Sequence, residues 1–214
     1  TQMIERLEAE FGTRLTHSVL TLLASARRGL SEQELQELTK SEGRTDDLFA
    51  ILRQLRPYLQ PRGELLDFYH RNLFKAVRAK YLPTRDTRKV AHTRLAGYFG
   101  GQDYFLESPE EQRQRVRRRP ATSRPVNVRK VDELLWQLLR TGNAKACETL
   151  LTDLNYLEAR NEAGMVFELA GDFRTVVNVL PEDRPQRRIL KLLNEALRRD
   201  IHFIARHAAD YPQG

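Results

Sequence analysis

Residues 65–82 read LLDFYHRNLFKAVRAKYL, and the pattern changes in the middle. Leu66 and Phe68 with their neighbours read as a short strand, whereas from Asn72 to Leu82 the apolar residues Leu73, Phe74, Val77 and Tyr81 recur at helical steps of three and four. His70 stands where the two patterns meet. Its position alone leaves three readings open: a residue that caps or packs the hairpin, a ligand for a base or metal, or a sensor of something bound nearby.

The preceding segments say what this junction belongs to. MIERLEAEFG and LTHSVLTLLASARRG read as helices, the second running to Gly29 with Arg27 and Arg28 at its C-terminus, where positive charge is favourable. In LSEQELQELTK, Ser31 is followed three residues later by Glu34, a capping-box signature. TDDLFAILRQLRPYL has acids in its first turn and a stripe of Leu48, Ile51, Leu52 and Leu55 that predicts a core face. Pro57 ends or bends this helix, and Pro61 to Glu64 supply a turn between two extended runs. Three or four helices, a small hairpin and the helix after His70 form the order of a winged-helix domain.

Downstream the pattern is helical with one interruption. RKVAHTRLAGYF presents Val90, Leu95, Tyr98 and Phe99 as a packing surface, and GGQDYFLESPEEQ breaks it. From Arg113 to Lys130 there are eight basic residues and no acidic one. Prolines and the lack of apolar periodicity predict a solvated loop there, with docking on nucleic acid or an acidic surface as the alternative. Short amphipathic helices follow: VDELLWQLLRTG, AKACETLLTDLNYLEARNE, AGMVFELAGDFRTVVNVL and the long PQRRILKLLNEALRRDIHFIARHAADYP. They suggest a stack of helical repeats rather than a bundle, although no fixed period recurs. Trp136 with Leu134, Leu138 and Leu139 is expected in the core of that stack. The chain is therefore expected to be mainly α, with a winged-helix domain over residues 1–83, a helix and basic linker over 84–132, and a helical repeat-like domain over 133–214.

Bulk composition agrees. A chain of 214 residues with 40% hydrophobic and 30% charged residues can bury a core and is not of disordered type. The net charge of +7 favours association with anions without specifying one. The lone Cys147, in NAKACETLL, cannot make an intrachain disulfide and is expected to act as a small buried apolar residue. No apolar run reaches the length of a membrane span, no membrane partner is expected, and the location expected is cytoplasmic. Because the chain opens at Thr1 inside a helical pattern, it reads as a segment of something longer.

Catalytic patterns are missing from the sequence. There is no Gly-Lys-Ser/Thr loop to surround a phosphate, no HExxH, and no cysteine pair. His202 and His207 fall on different sides of one helix, which makes them ordinary surface or packing residues. Neither catalytic nor metal-binding residues are expected, and the segment by itself is not expected to be an enzyme.

The blocks RLEAEFG, LTLLASARRGLSEQELQEL, LLDFYHRNLFKAVRAKYL, VRKVDELLWQLLRTG, LLTDLNYLEARNEAGMVFELAGDF and ALRRDIHFIARHAADYPQG, in this order, resemble the region after the NACHT nucleotide-binding module of bacterial STAND NTPases. The same layout is similar to that of animal NACHT proteins with WD repeats. The family often has Glu-Leu-Pro-Trp where this chain has Leu135 before Trp136, so a local kink there is in question. The resemblance implies that this chain is the winged helix and helical segment between an upstream NACHT ATPase and a downstream repeat sensor. It implies a signalling role, in bacterial defence or a similar stress response, with a homo-oligomer on activation. ADP and ATP would be held mainly by the upstream module. His70 would reach the phosphate of ADP in the resting state, beside a helix N-terminus that favours anions. The alternative is a winged-helix nucleic-acid binder. Its recognition helix would be TDDLFAILRQLRPYL, where Asp46 and Asp47 oppose phosphate and only Arg53 and Arg56 are basic, so any such contact would fall on Arg113, Arg115, Arg117, Arg118 and Arg119.

Overall fold

The computed structural model describes residues 2–106 and 125–206. It is mainly helical, with one small antiparallel sheet. Its contacts divide the chain into two compact units, Thr1–Tyr98 and Phe99–Gly214.

The first unit opens with α1 (Gln2–Phe11) and α2 (Thr13–Ser25), followed by β1 (Leu30–Ser31), α3 (Glu32–Thr39) and α4 (Thr45–Leu55). α2 stops at Ser25, so Arg27 and Arg28 lie beyond the helix rather than in its last turn. The chain needs those residues to turn into β1, a strand that apolar alternation could not reveal because it is two residues long. Gly29 makes the entry possible. Its φ is +86°, and a Cβ there would stand 2.2 Å from the carbonyl oxygen of Leu66 on the neighbouring strand. Ser31 then caps α3 as its sequence predicts: its hydroxyl accepts from the Glu34 amide at 3.0 Å, and the Ser31 amide donates to the Glu34 carboxylate at 2.9 Å. Ser31→Ala is expected to cost about 1 kcal/mol, read as a lower urea midpoint with an unchanged slope.

All four residues of the α4 stripe are buried. A short 3-10 turn over Arg56–Tyr58 carries Pro57 and leads into β2 (Leu59–Arg62), which pairs with β3 (Leu65–Phe68). The two-residue loop has positive φ only at Gly63, the pattern of a type II′ turn. The sheet order is β1-β3-β2, with Leu30 opposite Leu66 and Leu59 opposite Phe68. α5 (Arg71–Tyr81) follows and buries Leu73, Val77 and Tyr81. α6 (Arg85–Gly100) is fastened by Arg94, which donates to Ser18 Oγ at 3.1 Å and to the Leu38 carbonyl, and pairs with Glu42 at 2.8 Å. Of the surface expected on α6, Leu95 and Phe99 are buried, whereas Val90 is 70% exposed and Tyr98 turns its hydroxyl to Glu37.

The second unit contains α7 (Val128–Thr141), α8 (Ala144–Leu151), α9 (Leu154–Glu162), α10 (Val166–Val179) and α11 (Pro185–Arg206). The run expected as one helix over residues 144–162 is two, because Asp153 caps a new start by accepting from the Asn155 amide. Cys147 is buried, as expected, and burial and then the Glu148 charge push its thiol up to about 11, so it stays protonated at neutral pH. Two features depart from the sequence reading. Trp136, Leu138 and Leu139 are only half-buried, while the helix buries Val131, Asp132, Glu133, Leu134, Leu135 and Gln137. Lys130 does not belong to a solvated basic run. It is buried in α7, donates to the carbonyls of Gly100 (3.2 Å) and Gln102, and burial lowers its pKa. Arg160 is likewise wholly buried, donating to the Val131 carbonyl at 3.2 Å and pairing with Asp172.

Candidate functional site

The candidate site is the end of the hairpin where β3 passes into α5. Backbone bonds fix the junction: the amides of Tyr69 and His70 both donate to the Tyr58 carbonyl, at 3.0 and 3.1 Å, and the His70 carbonyl accepts from Phe74 at 3.1 Å. Phe68 and Phe74 pack with ring centroids 5.8 Å apart, joining strand to helix. His70 is therefore the N-cap residue of α5, with φ −82° and ψ 100°.

Its side chain does not perform the cap. No side-chain cap bond forms, so the first-turn amides of α5 are left to solvent or to a ligand. The imidazole is exposed and meets the Tyr58 ring edge-on, with centroids 5.6 Å apart and planes at 79°. Neither ring nitrogen has a hydrogen-bond partner among the described residues. Tyr69, 70% exposed, stands beside it. There is no acid in the first turn, and Arg71, Lys75 and Arg78 follow at steps of four and three along α5. An unpaired donor ring, open helix amides and a basic helix form a place that favours an anion.

The far end of α5 is tied to α1. Glu8 accepts from the Tyr81 hydroxyl at 2.6 Å and from Lys80, and these two bonds hold its carboxyl below the usual value near 4.5. Because the folded pKa is the lower one, the associated stability is present above about pH 4.5 and disappears as pH falls through the folded value. In thermal unfolding from pH 6 to pH 3, the advantage of wild type over Glu8→Gln is expected to hold steady and then shrink below about pH 4.5. A gap independent of pH would leave Glu8 without an ionic role.

Among the described residues, no group of three or more His, Cys, Asp or Glu could hold a metal ion. His202 lies beside Phe167, with centroids 5.7 Å apart, and His207 is outside the described residues. Arg113, Arg115, Arg117, Arg118 and Arg119 are also outside them. None of the described helices is long and apolar enough to cross a membrane. Sequence reasoning located His70 but missed the part played by Tyr58, which becomes its neighbour only when β2 pairs with β3.

No protein-family model matches the chain. No solved structure matches it. Among curated proteins, it is 26% identical over 209 residues to a human protein, NACHT domain- and WD repeat-containing protein 1. The match covers 80% of this chain and 13% of that protein. The similarity is distant and NACHT-related.

Proposed function

We propose that the chain is a regulatory, transducing segment of a NACHT-type signalling NTPase, with a winged-helix unit followed by a helical unit. The single observation that carries the reading is His70: an exposed N-cap residue whose ring is unpaired while the helix amides behind it are open. The succession of α2, β1, α3, α4, β2 and β3, with β3 central in the sheet, is compatible with a winged helix. The distant NACHT-related similarity supports the same direction. The matched relative is human, so bacterial defence gains nothing from it.

In this reading an upstream nucleotide module binds ADP, and His70 donates a ring N–H to its phosphate, holding the resting state. A bias of about 1.4 kcal/mol changes a rare open population roughly tenfold, so a single hydrogen bond suffices for control. A downstream sensor would act through the helical unit, and activation would build a homo-oligomer. The test is the nucleotide that co-purifies with the parent protein, identified after denaturation. Wild type is expected to hold ADP, and His70→Ala to lose it or exchange it for ATP. Equal ADP in both would reduce His70 to a packing residue.

Nucleic-acid binding is the lesser reading. α4, in the place of a recognition helix, opens with Asp46 and Asp47, and Asp46 is already paired with Arg44 at 3.3 Å. If neither protein holds nucleotide, duplex-DNA binding across a salt series becomes the next measurement.

A further inference from the structure

The positive charge of the chain is concentrated in one short stretch. Residues 71–89 hold seven Lys and Arg against a single acid, Asp86, a net +6, while the whole chain carries +7. Lys80 is tied to Glu8. Arg71, Lys75 and Arg78 are exposed and have no ion-pair partner among the described residues, and the same holds for Arg85 and Lys89 at the start of α6. Steps of four and three place Arg71, Lys75 and Arg78 in one line along α5, about 10 Å long. The buried residues Leu73, Val77 and Tyr81 lie on another side of the helix, and α5 contains no acid to interrupt the line. Like charges at these steps repel each other, so the line gains from an anionic array laid along it.

Aromatic rings at its head narrow the occupant. Tyr69 is 70% exposed, His70 is exposed beside it, and the half-buried Phe74 carries the Arg78 guanidinium 5.6 Å from its ring centre. Cations in line with exposed rings are the two parts of a surface for an unpaired nucleic-acid strand, because phosphates follow the cations and bases stack on the rings. An acidic helix of a protein would match the cations and leave Tyr69 idle. A duplex keeps its base faces in its own stack and offers none to a ring.

We propose that α5 and the junction before it form a docking surface for single-stranded nucleic acid, with phosphates along Arg71, Lys75 and Arg78 and a base stacked on Tyr69. Arg85 and Lys89 add to the positive potential within the same unit. The surface extends from His70 along α5 and does not rest on the nucleotide reading of His70, since the strand needs neither an upstream module nor ADP.

The probe is a fluorescein-labelled oligouridine of about 12 nucleotides, titrated against the intact 214-residue chain by anisotropy across a salt series. Lys75→Gln and Arg78→Gln are each expected to weaken binding about threefold or more and to lower the salt slope by about 0.7, one phosphate contact apiece. Tyr69→Ala is expected to weaken it about fivefold or more with the slope unchanged, because stacking releases no counterions. Arg188→Gln removes the same charge from α11 and should leave affinity within about twofold. All four positions are exposed, so melting temperatures should hold. The same strand annealed to its complement, and a Glu peptide of equal charge, are each expected to bind about tenfold less tightly. No binding at about 1 mM would overturn the proposal, and so would wild-type affinity in a variant with Arg71, Lys75 and Arg78 all changed to Gln. Equal losses from Arg188→Gln and Lys75→Gln would overturn it as well, making net charge the whole effect. Duplex or Glu peptide bound as tightly as the single strand would do the same, reducing the line to a general anion surface.

Discussion

Gly29→Ala is expected to cost about 3 kcal/mol or more, well above the effect of an average substitution. Two terms add. A φ of +86° is costly for any residue with a Cβ, about 1–2 kcal/mol by itself. The second is the obstruction: the new methyl would lie 2.2 Å from the Leu66 carbonyl oxygen and 2.8 Å from its carbon, both backbone atoms that cannot rotate away. Relief requires β1 to move off β3, which breaks the pairing of Leu30 with Leu66. Gly63→Ala is the control. Its φ is +64°, but nothing lies within 4 Å of the added Cβ, so only the backbone term of about 1–2 kcal/mol applies. Urea midpoints of the two variants separate the terms. Equal losses would mean that the close approach at Leu66 does not matter.

Asp172→Asn is expected to be comparably severe, at about 3–5 kcal/mol, because it leaves the Arg160 guanidinium without its counter-charge. That side chain is fully buried, and its bond to the Val131 carbonyl fixes it between α7, α9 and α10. Water reaches the Asp172 side of the pair, which is 21% exposed, but not the wholly buried guanidinium. Replacing both partners gives the diagnostic contrast: Arg160→Met with Asp172→Leu should recover most of the loss, since desolvation of the charges disappears along with their attraction. Denaturant midpoints for the single and double variants measure this coupling. If Asp172→Asn alone were neutral, the pair would be an accessory of packing already complete without it.

The difference between legible and hidden features follows the range of the interactions. α3 with its capping box, and α4 with its four-residue stripe, are set by residues three and four apart, so their sequences state them directly. The hairpin is nearly as local, since a two-residue turn fixes its register. β1 depends instead on a partner 36 positions away, Leu30 with Leu66, and its own two residues carry no period. The buried ion pair was equally hidden: Arg160 in LEARNE looks like a surface charge until α10 brings Asp172 against it. Trp136 shows the converse, because hydrophobic spacing on α7 predicted burial while Glu133 and Gln137 took the inner positions, joined by a 2.8 Å hydrogen bond. At the candidate site, the place of His70 was legible, but the Tyr58 ring against it belongs to tertiary structure.

α5 is held at both ends and by different means. One end hangs from the Tyr58 carbonyl through two backbone amides, and the other is pinned by side chains to Glu8. Its 11 residues make a strut about 16 Å long, stiff along its axis because its hydrogen bonds run that way. A pull on the imidazole therefore loads the hairpin and α1 together. The side-chain pins are the softer joint, since they yield to acid and the backbone pair does not. Acidification would weaken the Glu8 bonds at its tail while Val77 and Tyr81 stay packed, so the brace slackens at one end without coming free.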